Sequence, residues 1–325
     1  MIAGLLAISA LQGFSQYKQI ENIINAYTSI DSIYSFDDNN VDSLIVDDAT
    51  LFTAGDTVMV YCVQGAKIEL TDIYGEDQIG RDGQNPRSAG KYAFVIIDTI
   101  DETRGLVILN TTLRPDIYPI GEGEVAQLIR VPSYINAEVT SAGIRAKKWD
   151  GSTGGVVALF VHGALSLNGD IDVSSAGFWG AQESVDYPGD CSSVDTDLYD
   201  STFYHISNIR AGKKGEGTTD TRFDLMRGKA RNINGGGGGN ALFSGGGGGS
   251  NYSYGGDGGN ESSACDPGVI SPGGWGGFDL SRPGAYYING NPLPWNRGNR
   301  IFLGGGGGSG TRMAGRSTTD GGDGG

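Results

Sequence analysis

Residues 234–250 read Asn234-Gly235-Gly236-Gly237-Gly238-Gly239-Asn240-Ala241-Leu242-Phe243-Ser244-Gly245-Gly246-Gly247-Gly248-Gly249-Ser250. Two pentaglycine blocks are set five residues apart, and a third, Gly304, Gly305, Gly306, Gly307 and Gly308, follows the apolar run Ile301-Phe302-Leu303. Equal block length points to one structural unit used repeatedly. Glycine loses more backbone freedom on folding than any other residue, so plain oligoglycine makes a flexible linker. Linkers, however, carry serine and little else, whereas Leu242, Phe243, Tyr252, Tyr254, Trp275 and Phe302 flank these blocks. The reading that accounts for both is a bundle of polyproline-II-type helices. Such a helix has three residues per turn, rises about 3.1 Å per residue and makes no internal hydrogen bonds. Its N–H and C=O groups point outward on three sides, and only glycine lets neighbours approach from every side. A block of five spans roughly 15 Å at that rise.

Outward from the blocks, the chain divides unevenly. Of its 57 glycines, 37 fall at or after Gly212. Hydrophobic residues make up 38% of the 325-residue chain but are concentrated before Gly180, enough for an ordinary core there. The length suits two or three domains. A net charge of −15 argues against nucleic acid and anionic membrane as partners.

Met1 to Gln16 reads as an export signal. Ile2 to Leu11 is an apolar run too short to span a bilayer, and Gly13-Phe14-Ser15 supplies small residues at the cleavage spacing, although the basic start is missing. No other stretch is long and apolar enough for a membrane span. Next comes Tyr17 to Asp38, in which Ile20, Ile23, Ile24 and Tyr27 mark one short helix. From Asp42 the text turns to strands: Leu44-Ile45-Val46, Thr57 to Tyr61 after an Ala54-Gly55-Asp56 turn, Lys91 to Ile97, Gly105 to Asn110, and Val125 to Val131. Such spacing predicts a small β sandwich or barrel, with Gly75 to Gly90 as a long exposed loop. Beyond Val131 come shorter alternating strands punctuated by glycine, at 136–139, 144–146, 156–161, 165–167 and 171–173. Their spacing resembles rungs of a β-solenoid.

The expected fold is therefore mainly β: a signal peptide over 1–16, a β domain over 17–130, a β-solenoid-like segment with a polar loop over 131–211, and a glycine-rich bundle over 212–325. Gly255 to Gly259 and Gly321 to Gly325 both read Gly-Gly-Asp-Gly-Gly, and a domain seldom stops inside its own repeat, so the chain reads as a piece of a longer protein. Of the cysteines, Cys62 sits in an apolar run and is predicted to be a buried thiol. Cys191 and Cys265 lie in polar loop sequence, and a disulfide between them is predicted, closing a long loop.

The order of several short motifs is telling. Ala54-Gly55-Asp56-Thr57-Val58-Met59 precedes Gly65-Ala66, then Leu128-Ile129-Arg130-Val131-Pro132. Trp149-Asp150-Gly151-Ser152-Thr153-Gly154-Gly155 follows, then Ile171-Asp172-Val173-Ser174 with Gly177-Phe178. Lys214-Gly215-Glu216-Gly217 leads to the glycine blocks, and Asn299-Arg300-Ile301-Phe302-Leu303-Gly304 closes the series. Over about residues 25 to 325 this resembles the N-terminal region of very large Bacteroidota surface adhesins, the SprB-type gliding-motility proteins exported by the type IX secretion system. The resemblance implies a secreted, cell-surface filament used in adhesion and gliding, partnered by the export and gliding machinery and by further copies of itself. It also implies O-glycans on Asp-Ser/Thr-apolar motifs, here at Ser32, Ser43, Thr57 and Thr99.

Enzymatic chemistry is thinly represented. His162 follows an apolar run and reads as a turn or core histidine, and His205 has no metal-ligating neighbour at a useful spacing. Glycine blocks match dinucleotide-binding patterns trivially, without the strand-then-helix setting. Asp170 with Asp172, and Asp195 with Asp197, alternate as calcium ligands sometimes do, but lack the full loop register, so calcium is the one metal left open. The function expected is non-enzymatic and adhesive: a stiff glycine platform presenting Trp275, Tyr286, Tyr287 and Trp295 to a surface polysaccharide or other extracellular ligand. Two alternatives stand beside it. One is an assembly module docking to the export or gliding machinery; the other is a polysaccharide-active β-solenoid enzyme.

Overall fold

The computed structural model describes residues 17–37, 40–68, 84–85, 87–113, 121–182, 203–209, 211–240, 244–259, 273–280, 287–288, 291–292 and 300–311. The expected export signal, the Cys191 and Cys265 pair, Asp195, Asp197, Tyr286 and Trp295 lie outside the described residues. In chain order the strands begin with β1 (Lys18–Asn22), β2 (Tyr27–Asp37), β3 (Asn40–Val46) and β4 (Thr57–Gln64). Two short ones, β5 (Lys67–Ile68) and β6 (Gln84–Asn85), precede β7 (Tyr92–Asp101), β8 (Leu106–Leu113) and β9 (Val125–Arg130). Then come β10 (Ser133–Tyr134), β11 (Ala137–Arg145), β12 (Phe160–Val161), β13 (Leu165–Leu167) and β14 (Ile171–Asp172). The glycine-rich half adds only β15 (Tyr287–Ile288) and β16 (Asn291–Pro292) among the described residues.

Six strands close into a barrel in the order β2-β3-β8-β7-β4-β9, with β9 pairing back onto β2. Every pairing in it is antiparallel. Of the two options read from the sequence, the barrel is the one adopted, and closure leaves no free strand edge. Gly55, at φ +90°, makes the turn into β4 that the Ala-Gly-Asp stretch predicts.

β4 explains its own composition. Val58, Val60 and Cys62 face the barrel interior, packed with Leu44, Val95, Ile97, Val107 and Leu128. Met59, Tyr61 and Val63 point the other way, into a second cluster with Trp149, Val156, Phe178 and Leu303. A strand buried on both faces reads as an unbroken apolar run, as this one does. Cys62 is buried as expected, and burial pushes its thiol up to about 12.

The helix expected around Ile20 to Tyr27 is not formed. Ile20, Ile23, Ile24 and Tyr27 mimic the spacing of a helical face, but Ile20 belongs to β1, Tyr27 opens β2, and Ile23 and Ile24 lie in the segment that joins them after Asn22, which takes φ +60°. Ile23 is consequently 54% exposed, while Ile20 is buried against Ala137, Val139 and Ile144. β1 belongs not with the barrel but with β11, to which it pairs in parallel. β13 and β14 pair in parallel with β11 as well, so that Ile20, Val139 and Leu167 occupy one register position on successive strands.

A second correction concerns the loop expected to be exposed over residues 75–90. Its end is buried: Ser88 and Ala89 are inaccessible. The Arg300 guanidinium donates to the carbonyls of Ala89 and of Arg87, and Gly90, at φ +82°, lies against the Phe302 ring. The Arg300-Ile301-Phe302 stretch, more than 200 residues further along the chain, is what covers it.

In the glycine-rich half, successive residues donate to different neighbours. Gly236 N–H reaches Gly306 O, Gly237 reaches Trp275 O, Gly238 reaches Gly228 O, and Gly239 returns to the first neighbour at Ser309 O. The same recurrence of three holds for Gly245 and Gly248 donating to Gly259 and Gly256, and for Gly274 and Gly277 donating to Gly245 and Gly248. It holds again for Gly305 and Gly308, which donate to Ser250 and Gly247. None of the glycines at 235–239, 245–249 or 304–308 takes a positive φ.

Candidate functional site

Trp275 is the one ligand-binding residue expected from sequence whose side chain is described. Its segment is fixed by backbone bonds on two sides. Trp275 N–H donates to Lys229 O and Phe278 N–H to Ile233 O, while Trp275 O accepts from Gly237. These bonds clasp residues 229–233 at both ends and place Arg231 between them.

The Arg231 guanidinium carbon lies 4.2 Å from the centre of the Phe278 ring, 5.4 Å from that of Tyr254 and 5.7 Å from that of Trp275. Each contact lets the electron-rich face of a ring attract the cation, about 0.5–1 kcal/mol at an exposed site and more when desolvated. Tyr254 meets Phe278 edge to face, ring centres 5.8 Å apart and planes inclined by 69°. Arg231 Nη1 donates to the Tyr254 hydroxyl at 3.3 Å. Its Nε is buried with no hydrogen-bond partner. Tyr254 is 47% exposed and its neighbour Tyr252 67% exposed, so the cluster opens to solvent. Such a surface offers flat apolar faces for a sugar ring or another aromatic group, with a fork of donors beside them.

A second constellation ties the regions together. The Glu216 carboxylate accepts from Gln64 Nε2 on β4, from Trp149 Nε1 and from the backbone N–H of Trp179, all at 3.0 to 3.1 Å. Two residues earlier, Lys214 is fully buried, its ammonium donating to the carbonyls of Gly228 at 2.9 Å and of Ala230 and lying 4.3 Å from the Phe203 ring centre. Burial pushes its pKa well below the ordinary lysine value. Both residues hold segments in place.

No family model, curated protein or solved structure matches this chain.

The other residues singled out in the sequence are scattered. Tyr287 lies in the short β15–β16 pairing. Ser32 and Thr57 are half-buried on β2 and β4, and Thr99 is exposed on β7. Ser43, at 2% exposure in the barrel wall, is out of reach of a modifying enzyme in the folded chain. His162 stands exposed in a turn, 2.9 Å from the Ser133 hydroxyl, and His205 pairs with the Ser207 hydroxyl. Asp172 accepts from Ser174 N–H and faces Arg145 at 3.5 Å. Among the described residues no group of acids, histidines or cysteines is placed to hold a metal ion.

Arg231 and Phe278 were not singled out from sequence, and Tyr254 was noted only as an aromatic residue flanking the glycine blocks. A signal did exist: Phe278 is a second aromatic residue, three positions after Trp275, in the same glycine-rich stretch.

Proposed function

We propose that this chain is a non-enzymatic segment of a secreted cell-surface adhesin, in which a glycine scaffold presents the Arg231 aromatic cluster to an extracellular saccharide. On this reading the glycine-rich half is a bundle of polyproline-II-type helices, and the stacked parallel strands β1, β11 and β13 form a short β-solenoid against the barrel. The observation that carries it is the hydrogen-bond recurrence of three described above, which matches the repeat of that helix. Close approach supports it too. A Cβ built on Gly249 would stand 1.8 Å from the Gly305 carbonyl oxygen, one on Gly274 2.0 Å from that of Gly237, and one on Gly308 2.0 Å from the same oxygen. Only glycine fits there. Amide exchange tests the scaffold: the N–H groups of Gly236 to Gly239 should exchange far more slowly than those of a random glycine peptide, and exchange at the random-peptide rate overturns it.

The binding role is tested on a glycan array with the whole chain, where retained sugars should be lost with Trp275→Ala. A second reading, an assembly module that mates with export or gliding components or with further copies, draws support from one edge. Gly256 and Gly259 have open space where a Cβ would go, so the 255–259 segment has an uncovered side. Recovery of a defined envelope partner by pull-down, with an empty glycan array, would favour this second reading.

A further inference from the structure

Aromatic faces alone take sugars without regard to charge; the arginine among them narrows the choice. The chain holds 38 acidic against 23 basic residues, and several of its described arginines are matched to carboxylates. Arg222 pairs with Asp220 and Glu122, Arg87 with Asp220, Arg145 with Asp172 and Arg104 with Asp101. Arg227 and Arg300 direct their donors at backbone carbonyls. Arg231 does neither. Its side-chain hydrogen bond goes to a phenol at 3.3 Å, and its Nε is closed off from solvent without a partner.

A guanidinium held among rings and matched to no carboxylate keeps its full charge for an anion brought alongside its open Nη side. Its planar fork suits a carboxylate, and the neighbouring Tyr254 and Trp275 rings suit the C–H face of the sugar that carries it. We infer that the Arg231 cluster binds an acidic saccharide, a uronic acid unit whose carboxylate pairs with the Arg231 Nη atoms while its ring lies against Tyr254 or Trp275. This rests on the saccharide-binding reading above and names the class of sugar.

The test uses the whole chain with three probes in calorimetric titration: oligogalacturonate, the same oligomer with its carboxyls reduced to alcohols, and polyglutamate. Oligogalacturonate should bind about tenfold or more tightly than its reduced form, the range expected of a hydrogen bond to a charged group. Arg231→Gln should abolish that difference, Arg231→Lys should keep part of it, and Trp275→Ala should weaken both saccharides. Equal binding of the two saccharides by the native chain sinks the acidic preference and leaves the saccharide-binding reading standing. Polyglutamate binding as tightly as oligogalacturonate makes the site a mere anion trap and sinks the sugar. Failure of every probe sinks both readings together. Near-UV circular dichroism checks that the variants keep their fold, and the comparison of probes on the native chain stands even where one does not.

Discussion

The barrel and the glycine-rich half solve the same problem with opposite materials. In the barrel, branched and aromatic side chains exclude water and the backbone pairs in flat ladders between two neighbours. In the glycine-rich half the side chains are missing, and the segment at 245–250 exchanges hydrogen bonds with four others, at 234–237, 256–259, 274–277 and 305–308. Barrel stability is therefore expected to scale with apolar volume, and stability of the glycine half with the absence of any side chain at all. A methyl group removed from one and a methyl group added to the other should both be harmful.

The largest effect expected is in the barrel. Leu44 is wholly inaccessible, and Leu44→Ala should cost about 2–5 kcal/mol in urea unfolding, through lost transfer energy and the cavity left behind. A cost below about 1 kcal/mol would mean that the interior collapses around the gap, and the contrast would weaken. The mirror experiment adds a methyl. Gly249→Ala should destabilise by about 1–3 kcal/mol or more, because the obstacle is backbone and cannot rotate away. Gly259→Ala, where nothing lies within 4 Å, should change stability by no more than about 0.5 kcal/mol. Equal effects of the two alanines would remove the case for close packing.

A smaller effect is expected at the junction. Glu216→Gln keeps the shape but removes the charge that Gln64, Trp149 and Trp179 all address, and should cost about 1–3 kcal/mol, read from the unfolding midpoint and from tryptophan fluorescence. Smallest is an acid effect at the turn after Trp149. Burial acts to raise the Asp150 pKa, but hydrogen bonds from Lys147, Thr153 and Ser152 outweigh it and hold the carboxyl well below the usual carboxylate range. The stability it lends is therefore present above the ordinary value of about 4 and fades as pH falls below it toward the depressed one. Thermal unfolding between about pH 5 and about pH 2 should fall more steeply in the native chain than in Asp150→Asn.

Strands were the legible part, since alternation and turn chemistry are written locally. β4, β7, β8 and β9 all lie where apolar runs bounded by Gly, Asp and Asn place them. Residues 20–27 misled because four apolar residues at helical spacing can equally be divided between the ends of two strands and the kinked segment that joins them. What decides between them is Asn22 and the distant Ala137, Val139 and Ile144. The buried end of the 84–90 loop was invisible for a similar reason: its cover, Arg300 and Phe302, is more than 200 residues away. For the candidate site, Trp275 was legible as an aromatic residue among glycines. Arg231 was not, because a sequence does not show which cation lacks a carboxylate.

Sharing β4 between two packed faces has a cost in modularity. Excised at residue 130, the barrel would present Met59, Tyr61 and Val63 to water as a bare stripe, and a one-residue slip would trade one set of inward residues for the other. Such a barrel is ill suited to shuffling between proteins as an independent cassette. It is a foundation stone, cut to the wall that stands on it.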